Sequence, residues 1–237
     1  MKKILITNDD GITSEGLVRL AECAKEFGEI WVVAPDSQRS AMSHSITLRH
    51  PVEVWDVPFP VPGVKAFACN GTPADCARVG ILNIVPGKPD MVFSGINYGY
   101  NVAADLQYSA TAGAAFEAAF QKVPAFAFSE GAIELHEVTD KYLRDVMAEV
   151  IEKPLSGWQI CNINFPACTL SEFQGILRDA AVSHDGFYSD RYAEEKLPNG
   201  NISFMVDGIR NWDATEGTDL WAMIHHYISI GPVNNLG

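Results

Sequence analysis

Short, uninterrupted apolar runs alternate with helical periodicity over the first two thirds of the chain, and this alternation most restricts the fold. The apolar runs cover residues 4–7, 30–34, 91–94, 125–129 and 159–165. Helical patterns lie between them and begin near Leu17, Ala74, Ala112 and Leu143. Strands that are apolar on both faces are typical of a parallel sheet that helices cover on both sides. The sequence therefore predicts an α/β protein with a doubly wound, mostly parallel sheet in three layers.

The pattern changes near residue 178. Residues 183–201 are polar and rich in turn residues, residues 202–206 are strand-like, and residues 209–217 are predicted as a loop. The stretch 220–230 contains a β-rich segment at residues 226–230. We predict a Rossmann-like catalytic core in residues 1–177. We assign residues 178–237 to a β-rich extended arm and a C-terminal strand segment that belong to the same structural unit.

Charge and cysteine content exclude several classes of partner. The chain has 237 residues, with 17 Lys and Arg against 30 Asp and Glu, and a formal net charge of −13. Nucleic-acid binding rests on a basic surface, so we expect no nucleic-acid partner. No apolar stretch reaches the ~18 residues of a membrane helix, and the run after Met1 is too short for a signal peptide. Five cysteines without metal-binding spacing indicate a reducing compartment, so we predict a cytoplasmic protein with no membrane partner.

An acidic pair, Asp9-Asp10, follows the first predicted strand and precedes Gly11. In doubly wound sheets, ligands bind beyond the carboxyl ends of the strands. Neighbouring side chains of a strand point to opposite faces, so the two carboxylates converge only if the chain turns, which Gly11 permits. Converging carboxylates repel each other unless one is protonated or a cation lies between them, and oxygen ligands suit Mg²⁺, Mn²⁺ or Ca²⁺. The alternative is that one acid merely caps the helix that begins near Leu17.

Other polar residues follow the later strands. Ser40 and Asn97 lie in loops after two of them, where a hydroxyl and an amide oxygen can complete a cation shell, although both residue types are common in turns. The Ala-rich helix has Ser109 or Thr111 as a candidate N-cap and no acid in its first turn, so its first amides are available to an anion. A dinucleotide site would need G-x-G-x-x-G where the acidic pair stands, which excludes that class.

Seven segments, in this order, resemble the SurE survival proteins, a family of metal-dependent 5′-nucleotidases. They are Thr7-Asn8-Asp9-Asp10-Gly11; Ala34-Pro35-Asp36 with Arg39-Ser40 and Ser43-His44-Ser45; Asn70-Gly71-Thr72-Pro73 with Asp75-Cys76; Ser94-Gly95-Ile96-Asn97 with Gly99 and Asn101; Tyr108-Ser109 with Thr111; Asn162-Ile163-Asn164-Phe165-Pro166; and Gly217-Thr218-Asp219 with Tyr227-Ile228-Ser229-Ile230. Each segment alone is weak evidence, and it is the order of all seven that carries the resemblance.

The resemblance implies a doubly wound core that hydrolyses nucleoside 5′-monophosphates, with 3′-monophosphates and polyphosphate as further candidate substrates. It implies one divalent cation per subunit, Mg²⁺ or Mn²⁺, held by Asp9, Asp10, Ser40 and Asn97. It implies that the arm makes contacts between the subunits of a homodimer or homotetramer. Hard oxygen ligands do not distinguish Mg²⁺ from Mn²⁺, and the sequence does not specify the base of the nucleotide.

For the reaction we predict that Asp9, Asn97, Ser109 and Thr111 are the catalytic residues. Water would attack the phosphorus and Asp9 would take its proton, while covalent attack by Asp9 is the less favoured route. Asn97 would bridge cation and phosphate, and Ser109 and Thr111 would donate to phosphoryl oxygens. The predicted substrate-binding residues are Asn8, Arg39, His44, Ser109, Ala110 and Thr111. Of these, His44 is also a candidate proton donor for the leaving group.

Two positions depart from the family pattern. Ala110 stands between Ser109 and Thr111 where the family usually has glycine, a change that matters only if the backbone there needs a positive φ. The family also often has a pair of acids a few residues earlier, of which this chain keeps Asp105.

The alternative function is a receiver-like, Mg²⁺-binding signalling module without turnover. Receivers also place an acidic pair after their first strand, and Asp56 is a candidate phosphate acceptor. A receiver, however, needs about half this length and a lysine after its last strand, and the run 125–129 ends without one. These two differences favour the enzyme.

Overall fold

A nine-stranded sheet forms the centre of the protein in the computed structural model, which describes residues 1–235. In chain order the strands are β1 (Lys3–Thr7), β2 (Glu29–Pro35), β3 (Val54–Asp56), β4 (Lys65–Cys69), β5 (Met91–Tyr98), β6 (Ala125–Glu130), β7 (Gln159–Phe165), β8 (Gly175–Arg178), β9 (Tyr188–Ser189), β10 (Tyr192–Lys196), β11 (Ile202–Val206), β12 (Ile209–Arg210) and β13 (Tyr227–Asn234). The α-helices are α1 (Glu15–Ala24), α2 (Pro73–Val79), α3 (Ala110–Phe120), α4 (Glu137–Val150) and α5 (Asp219–Ile224). A π-helical segment (Gly80–Ile84) extends α2, and a 3-10 segment (Ala103–Gln107) precedes α3.

Parallel pairing dominates this sheet, whose strand order is β3-β4-β2-β1-β5-β6-β7-β13-β8. β1 pairs in parallel with β2 and β5, and the parallel series continues to β4 on one side and through β6 to β7 on the other. β3 on β4 and β13 on β7 are its antiparallel pairs. The predicted doubly wound α/β fold is therefore confirmed.

Helices cover both faces of the sheet because its strands are apolar on both faces. Ile4 and Ile6 of β1 lie in one core cluster together with Leu17 of α1 and Val146 of α4. Leu5, between them, belongs to a second cluster that includes residues of α2 and α3. Alternation along a single strand thus serves two cores and produces the three layers.

Small residues allow α3 to pack closely against its neighbours. Every residue from Ala110 to Ala119 is buried, and most of them are alanine. A Cβ atom on Gly113 would lie 2.2 Å from the carbonyl oxygen of Ser43, so only glycine permits the contact between this helix and the loop after β2. The start of α3 therefore lies beside that loop.

The C-terminal region differs from the prediction in two places. Residues 219–224, where no helix was predicted ahead of the β-rich segment 226–230, form α5, because the Thr218 side chain accepts from the Trp221 amide and caps the helix. Residues 209–210, expected in a loop, form β12, which pairs with β9. Short segments of this kind take their structure from long-range pairing, which local periodicity does not report.

The strand that was expected in residues 226–230 is β13, which begins at Tyr227 and lies inside the main sheet between β7 and β8. The predicted division at residue 178 falls on the last residue of β8 and stays a prediction. Within residues 1–235, no helix is long and apolar enough to cross a membrane.

An ion pair between α4 and β8 generates a pH-dependent prediction. Arg178 Nε and Nη2 lie 2.8 Å from the two carboxylate oxygens of Glu149, and these hydrogen bonds lower the pKa of Glu149 to about 2 from its ordinary 4.5. A lowered carboxyl pKa stabilises the folded state above the unfolded pKa, and this stabilisation is lost as the pH falls towards 2.

We therefore expect Arg178→Gln to lower the free energy of unfolding at pH 7 by about 0.5 kcal/mol, the size typical of partly exposed pairs. The difference from the wild type should shrink as the pH falls below 4.5. Urea unfolding at pH 7, 5, 4 and 3 measures it, and a difference that stays constant over this range would contradict the prediction.

Candidate active site

The turn after β1 brings the acidic pair together at the carboxyl edge of the sheet. Gly11 has φ +100°, a conformation that favours glycine, and the predicted turn occurs there. The side chain of Asn8 stabilises the turn by donating to the Gly11 carbonyl (3.0 Å) and to Ser14 Oγ (2.7 Å). Asn8 is fully buried, and its hydrogen bonds hold the loop. Ser14, not an acid of the pair, caps α1.

Asp9 is a buried carboxyl group joined to the start of α3. It is 4% exposed, and Thr111 Oγ1 donates to its Oδ1 at 2.6 Å. Burial raises the pKa of Asp9 to about 7, an effect that the Thr111 hydrogen bond opposes and the neighbouring charge of Asp10 reinforces. Near neutral pH this carboxyl therefore takes either a proton or a cation readily.

Asp10 is held against the end of β5. Its Oδ2 accepts from the Tyr98 amide at 3.0 Å. Burial raises the pKa of Asp10, while hydrogen bonds from Tyr98 and the Gln38 side chain lower it in part. Asn97, the residue before Tyr98, donates its side-chain NH₂ to the Gly99 carbonyl at 2.8 Å. Its Oδ1 therefore points away from Gly99 and remains available as an acceptor.

The loop after β2 lies against the acidic pair. The Arg39 amide donates to the Asp9 carbonyl at 2.7 Å. The Arg39 guanidinium contacts Asp36 (3.2 Å) and the Asn70 carbonyl (3.4 Å). Ser40 is exposed, and Gln38 Nε2 donates to its Oγ at 3.2 Å. Gln38 thus lies between Ser40 and Asp10, a position that the sequence did not indicate.

The start of α3 presents hydroxyl and amide groups. Ser109 is its N-cap and accepts from the Ala112 amide at 3.0 Å, so its own O–H remains a donor. The first turn of α3 contains no acid. Ala110 opens the helix and has no positive φ, so replacement of the usual glycine adds no strain there. The positive end of this helix is suited to an anion.

A cavity of about 310 Å³ adjoins Asp10 on the α1 side of the sheet. Its lining includes the acidic residues Glu15, Glu130 and Glu134. Its arginine, Arg19, is already paired with Glu130 at 2.6 Å. Because acidic side chains outnumber basic ones in this lining, the cavity is less suited to a phosphate than the α3 side of the acidic pair.

Three other sequence candidates lie in different surroundings. His44 Nε2 is 3.0 Å from Glu117 Oε2 on α3, so the ring is committed to that carboxylate. Burial and the charge of Asp190 in the arm raise the pKa of Asp105. Asp56, the candidate acceptor of the receiver alternative, lies on edge strand β3, which β4 and β2 separate from β1. The acidic pair and Asp56 therefore do not share a site.

The donor set fits a hard divalent cation. Two carboxylates, Asp9 and Asp10, lie near the neutral oxygen donors Ser40 and Asn97 at the ends of β1, β2 and β5. Among residues 1–235, no group of three or more His, Cys, Asp or Glu side chains could hold a metal ion, so a zinc-type ligand set is absent from this part of the chain. Carboxylate, hydroxyl and amide oxygens are the ligands that Mg²⁺ and Mn²⁺ prefer.

Comparisons with known proteins agree with this architecture. The family model described as “Survival protein SurE” matches residues 4–185. The 5′-nucleotidase SurE of Clostridium botulinum (strain Kyoto / Type A2) is 37% identical over 235 residues, which cover 98% of this chain and 92% of the relative. The 5′-nucleotidase SurE of Flavobacterium psychrophilum is 34% identical over 236 residues, 97% of this chain and 90% of the relative. The crystal structure of SurE protein from Aquifex aeolicus matches with a TM-score of 0.84 and 32% identity over 99% of this chain and 94% of that one.

The raised pKa of Asp9 predicts that this residue destabilises the metal-free protein. Its folded pKa of about 7 lies above the ordinary value of 3.8, so stability falls as the pH rises from 3.8 to about 7 and stays lower above it. The upper limit of this effect is about 4 kcal/mol. Asp9→Asn should therefore raise the melting temperature in EDTA at pH 8, and raise it less at pH 5.

Asp75→Asn is the matched control, because hydrogen bonds from Thr47 and Thr72 outweigh burial and lower the pKa of Asp75. This control should lose stability at pH 8, the opposite sign. Both expectations are checked by measuring the melting temperatures of the two variants and the wild type in EDTA. If the Asp9→Asn protein is no more stable than the wild type at pH 8, burial of the charged Asp9 carboxylate does not destabilise the fold.

Proposed function

Because this chain belongs to the SurE survival-protein family, we propose that it is a divalent-metal-dependent 5′-nucleotidase, which hydrolyses nucleoside 5′-monophosphates to nucleoside and phosphate. One observation carries the proposal: Asp9, a buried acid at a strand end, is bonded at 2.6 Å to Thr111 at the start of a helix. This contact joins a cation-binding group directly to an anion-binding one. A phosphomonoester bound with a cation requires both.

Asp9, Asp10, Ser40 and Asn97 are the residues that would hold one cation, Mg²⁺ or Mn²⁺, in each subunit. The cation would supply positive charge against the phosphoryl oxygens and lower the pKa of bound water. Without that charge the two carboxylates would repel a phosphate. The formal net charge of −13 gives no general attraction for a nucleotide either, so the groups of the site itself would have to bind the nucleotide.

On the phosphate side, the chain contributes donors at fixed positions. The Ser109 hydroxyl and the first amides of α3, at Ala110 and Thr111, would bind non-bridging oxygens, and the helix end favours their charge. Arg39 lies at the rim of the site and is partly exposed, so its guanidinium would steady the same oxygens. These contacts engage only the phosphoryl group. We therefore include 3′-monophosphates and polyphosphate as secondary substrates.

Asp9 is the proposed base for the attacking water. Its Oδ1 accepts from Thr111, which leaves Oδ2 to take the proton. The Thr111 hydrogen bond fixes the orientation of the carboxylate. Asn8 would act indirectly in this scheme, through the turn that it holds.

The arm is the proposed subunit contact in a homodimer or homotetramer. In the hairpin of β10 and β11, Tyr192 lies opposite Val206, and the two are 62% and 69% exposed. Phe204, on the same face, is 59% exposed. An isolated two-stranded hairpin is marginally stable in water and a large apolar patch favours association, so this face is suited to a second copy of the chain. No nucleic-acid partner is proposed.

The free cysteines support a reducing compartment. All five, Cys23, Cys69, Cys76, Cys161 and Cys168, are unbridged thiols. Thiols persist in this state in the cytoplasm, which is the location we propose.

Activity measurements test the proposed site. Wild-type protein with Mn²⁺ or Mg²⁺ should release phosphate from nucleoside 5′-monophosphates, and EDTA should abolish the release. Thr111→Val should lower kcat by about 10²-fold, because it removes a donor and frees Asp9, and Asp9→Asn should lower it further. Thr139→Val, at a buried threonine of α4, is the matched control and should keep the wild-type rate. Activity that survives both EDTA and Asp9→Asn would refute the metal-dependent mechanism.

The oligomer is tested separately. Phe204→Asp places a charge in the apolar hairpin face and should shift the protein from dimer or tetramer to monomer, as measured by light scattering after gel filtration. Met205→Asp, which introduces the same charge on the opposite face of the hairpin, is the control and should leave the oligomer intact. A wild-type chain that is monomeric at micromolar concentration would rule out this role for the arm.

A further inference from the structure

A buried carboxylate lies in α3, and the proposed chemistry does not use it. Glu117 is 3% exposed in a helix whose other buried residues are mostly alanine. Burying a carboxylate costs several kcal/mol unless polar partners replace its water. Helix α3 would pack without this cost if the position were apolar. The charge of Glu117 therefore needs an explanation.

Three partners satisfy the carboxylate. His44 Nε2 lies 3.0 Å from Oε2, Gln121 Nε2 donates to Oε1 at 2.9 Å, and Arg78 Nη1 is 3.6 Å from Oε1. Burial alone would raise the pKa of Glu117, but these partners together hold it below its ordinary value. Arg78 belongs to α2, and Gln121 is the C-cap of α3. The third, His44, belongs to the loop after β2.

That loop depends on α3 for its conformation. Ala41 and Ser43 have φ values of 57° and 54°, which non-glycine residues adopt only when the surroundings hold them. The Ser43 amide donates to the Tyr108 carbonyl at 3.0 Å, and its hydroxyl donates to the Gln107 carbonyl at 2.5 Å. The absence of a side chain at Gly113 leaves room for the Ser43 carbonyl.

The two ends of the segment from Arg39 to His44 are thus anchored at different places. At one end the Arg39 amide is bonded to the Asp9 carbonyl. At the other end His44 is bonded to Glu117, and its ring lies 5.0 Å from that of Phe120. Ser40 lies between the anchors, next to Arg39, on the side of the acidic pair.

We propose that Glu117 is a positioning residue: by holding His44, it fixes the far end of this segment and thereby keeps Ser40 beside Asp10. The inference rests on the proposed role of Ser40 in cation binding. A directional hydrogen bond to a buried carboxylate permits one loop geometry, whereas an apolar contact of equal stability permits several. His44 then acts through the loop and does not protonate the leaving group.

The test compares Glu117→Leu, the double variant His44→Leu/Glu117→Leu, and Arg78→Gln. The double variant replaces the pair by apolar groups, so it should keep its melting temperature within a few degrees of the wild type. Arg78→Gln removes a partner of Glu117 that lies outside the loop, so it should leave the loop and the activity unchanged. The two variants that break the His44 contact should speed hydrogen exchange in residues 38–47 without speeding it elsewhere.

Cation binding and turnover give the second readout. In both loop variants the Kd for Mn²⁺, measured by calorimetry, should rise about 10-fold, as is common when a supporting residue is lost. The value of kcat/KM should fall by the same factor for AMP and for p-nitrophenyl phosphate. The second substrate has a leaving group that needs no acid, so a lost proton donor would slow AMP alone.

Three outcomes would overturn the proposal. Loop exchange at the wild-type rate in both variants would show that Glu117 does not hold the segment. A loss confined to AMP would make His44 the acid catalyst. Faster loop exchange with unchanged Mn²⁺ affinity would separate the loop from the cation site. If the wild type itself binds no Mn²⁺ and releases no phosphate, the proposed function fails, and the exchange data still decide whether Glu117 holds the loop.

Discussion

The burial of Asp9 against the start of α3 is the constraint on which the rest of the site depends. Its hydrogen bond from Thr111 spans 102 positions of sequence and joins the first strand to the helix after β5. The helix can approach this closely because its first residues, apart from Thr111, are alanine and glycine. A larger side chain in the first turns of α3 would separate Asp9 from the positive end of the helix.

Burial also controls the protonation of Asp9. Removing Asp9 from water raises its pKa to about 7, because the charged form loses hydration that the protein only partly replaces. The same desolvation that makes the carboxyl a better base makes the metal-free fold less stable above neutral pH. Asp10 follows the same trend, although the Tyr98 amide compensates part of the loss. A cation between the two acids would reduce the cost of burying both negative charges.

Periodicity predicted the central strands and the helices that cover them, because the spacing of apolar residues in each element reflects which of its faces are buried. In the arm, β11 was predicted at residues 202–206. The edge strand β3 and the arm strands β9, β10 and β12 were not predicted, since a strand of two to five mostly exposed residues has no apolar pattern of its own. The helix at residues 219–224 was not predicted for a related reason: it is six residues long, and the cap at Thr218 is its main local signal. The acidic pair and its turn at Gly11 were predicted, and the structure places them at the expected edge of the sheet.

The sequence by itself determined a parallel sheet between two helical layers, with acids and polar loops at the strand ends, because residue type and spacing suffice for these features. Only the tertiary structure decided which polar groups meet. Thr111 contacts Asp9, and Gln38 lies between Ser40 and Asp10. His44, which as a loop histidine was open to several roles, is bonded to Glu117. Hydrogen bonds between distant segments depend on the order of the strands and on how closely the helices pack. The local sequence around each bonded residue predicts neither of these.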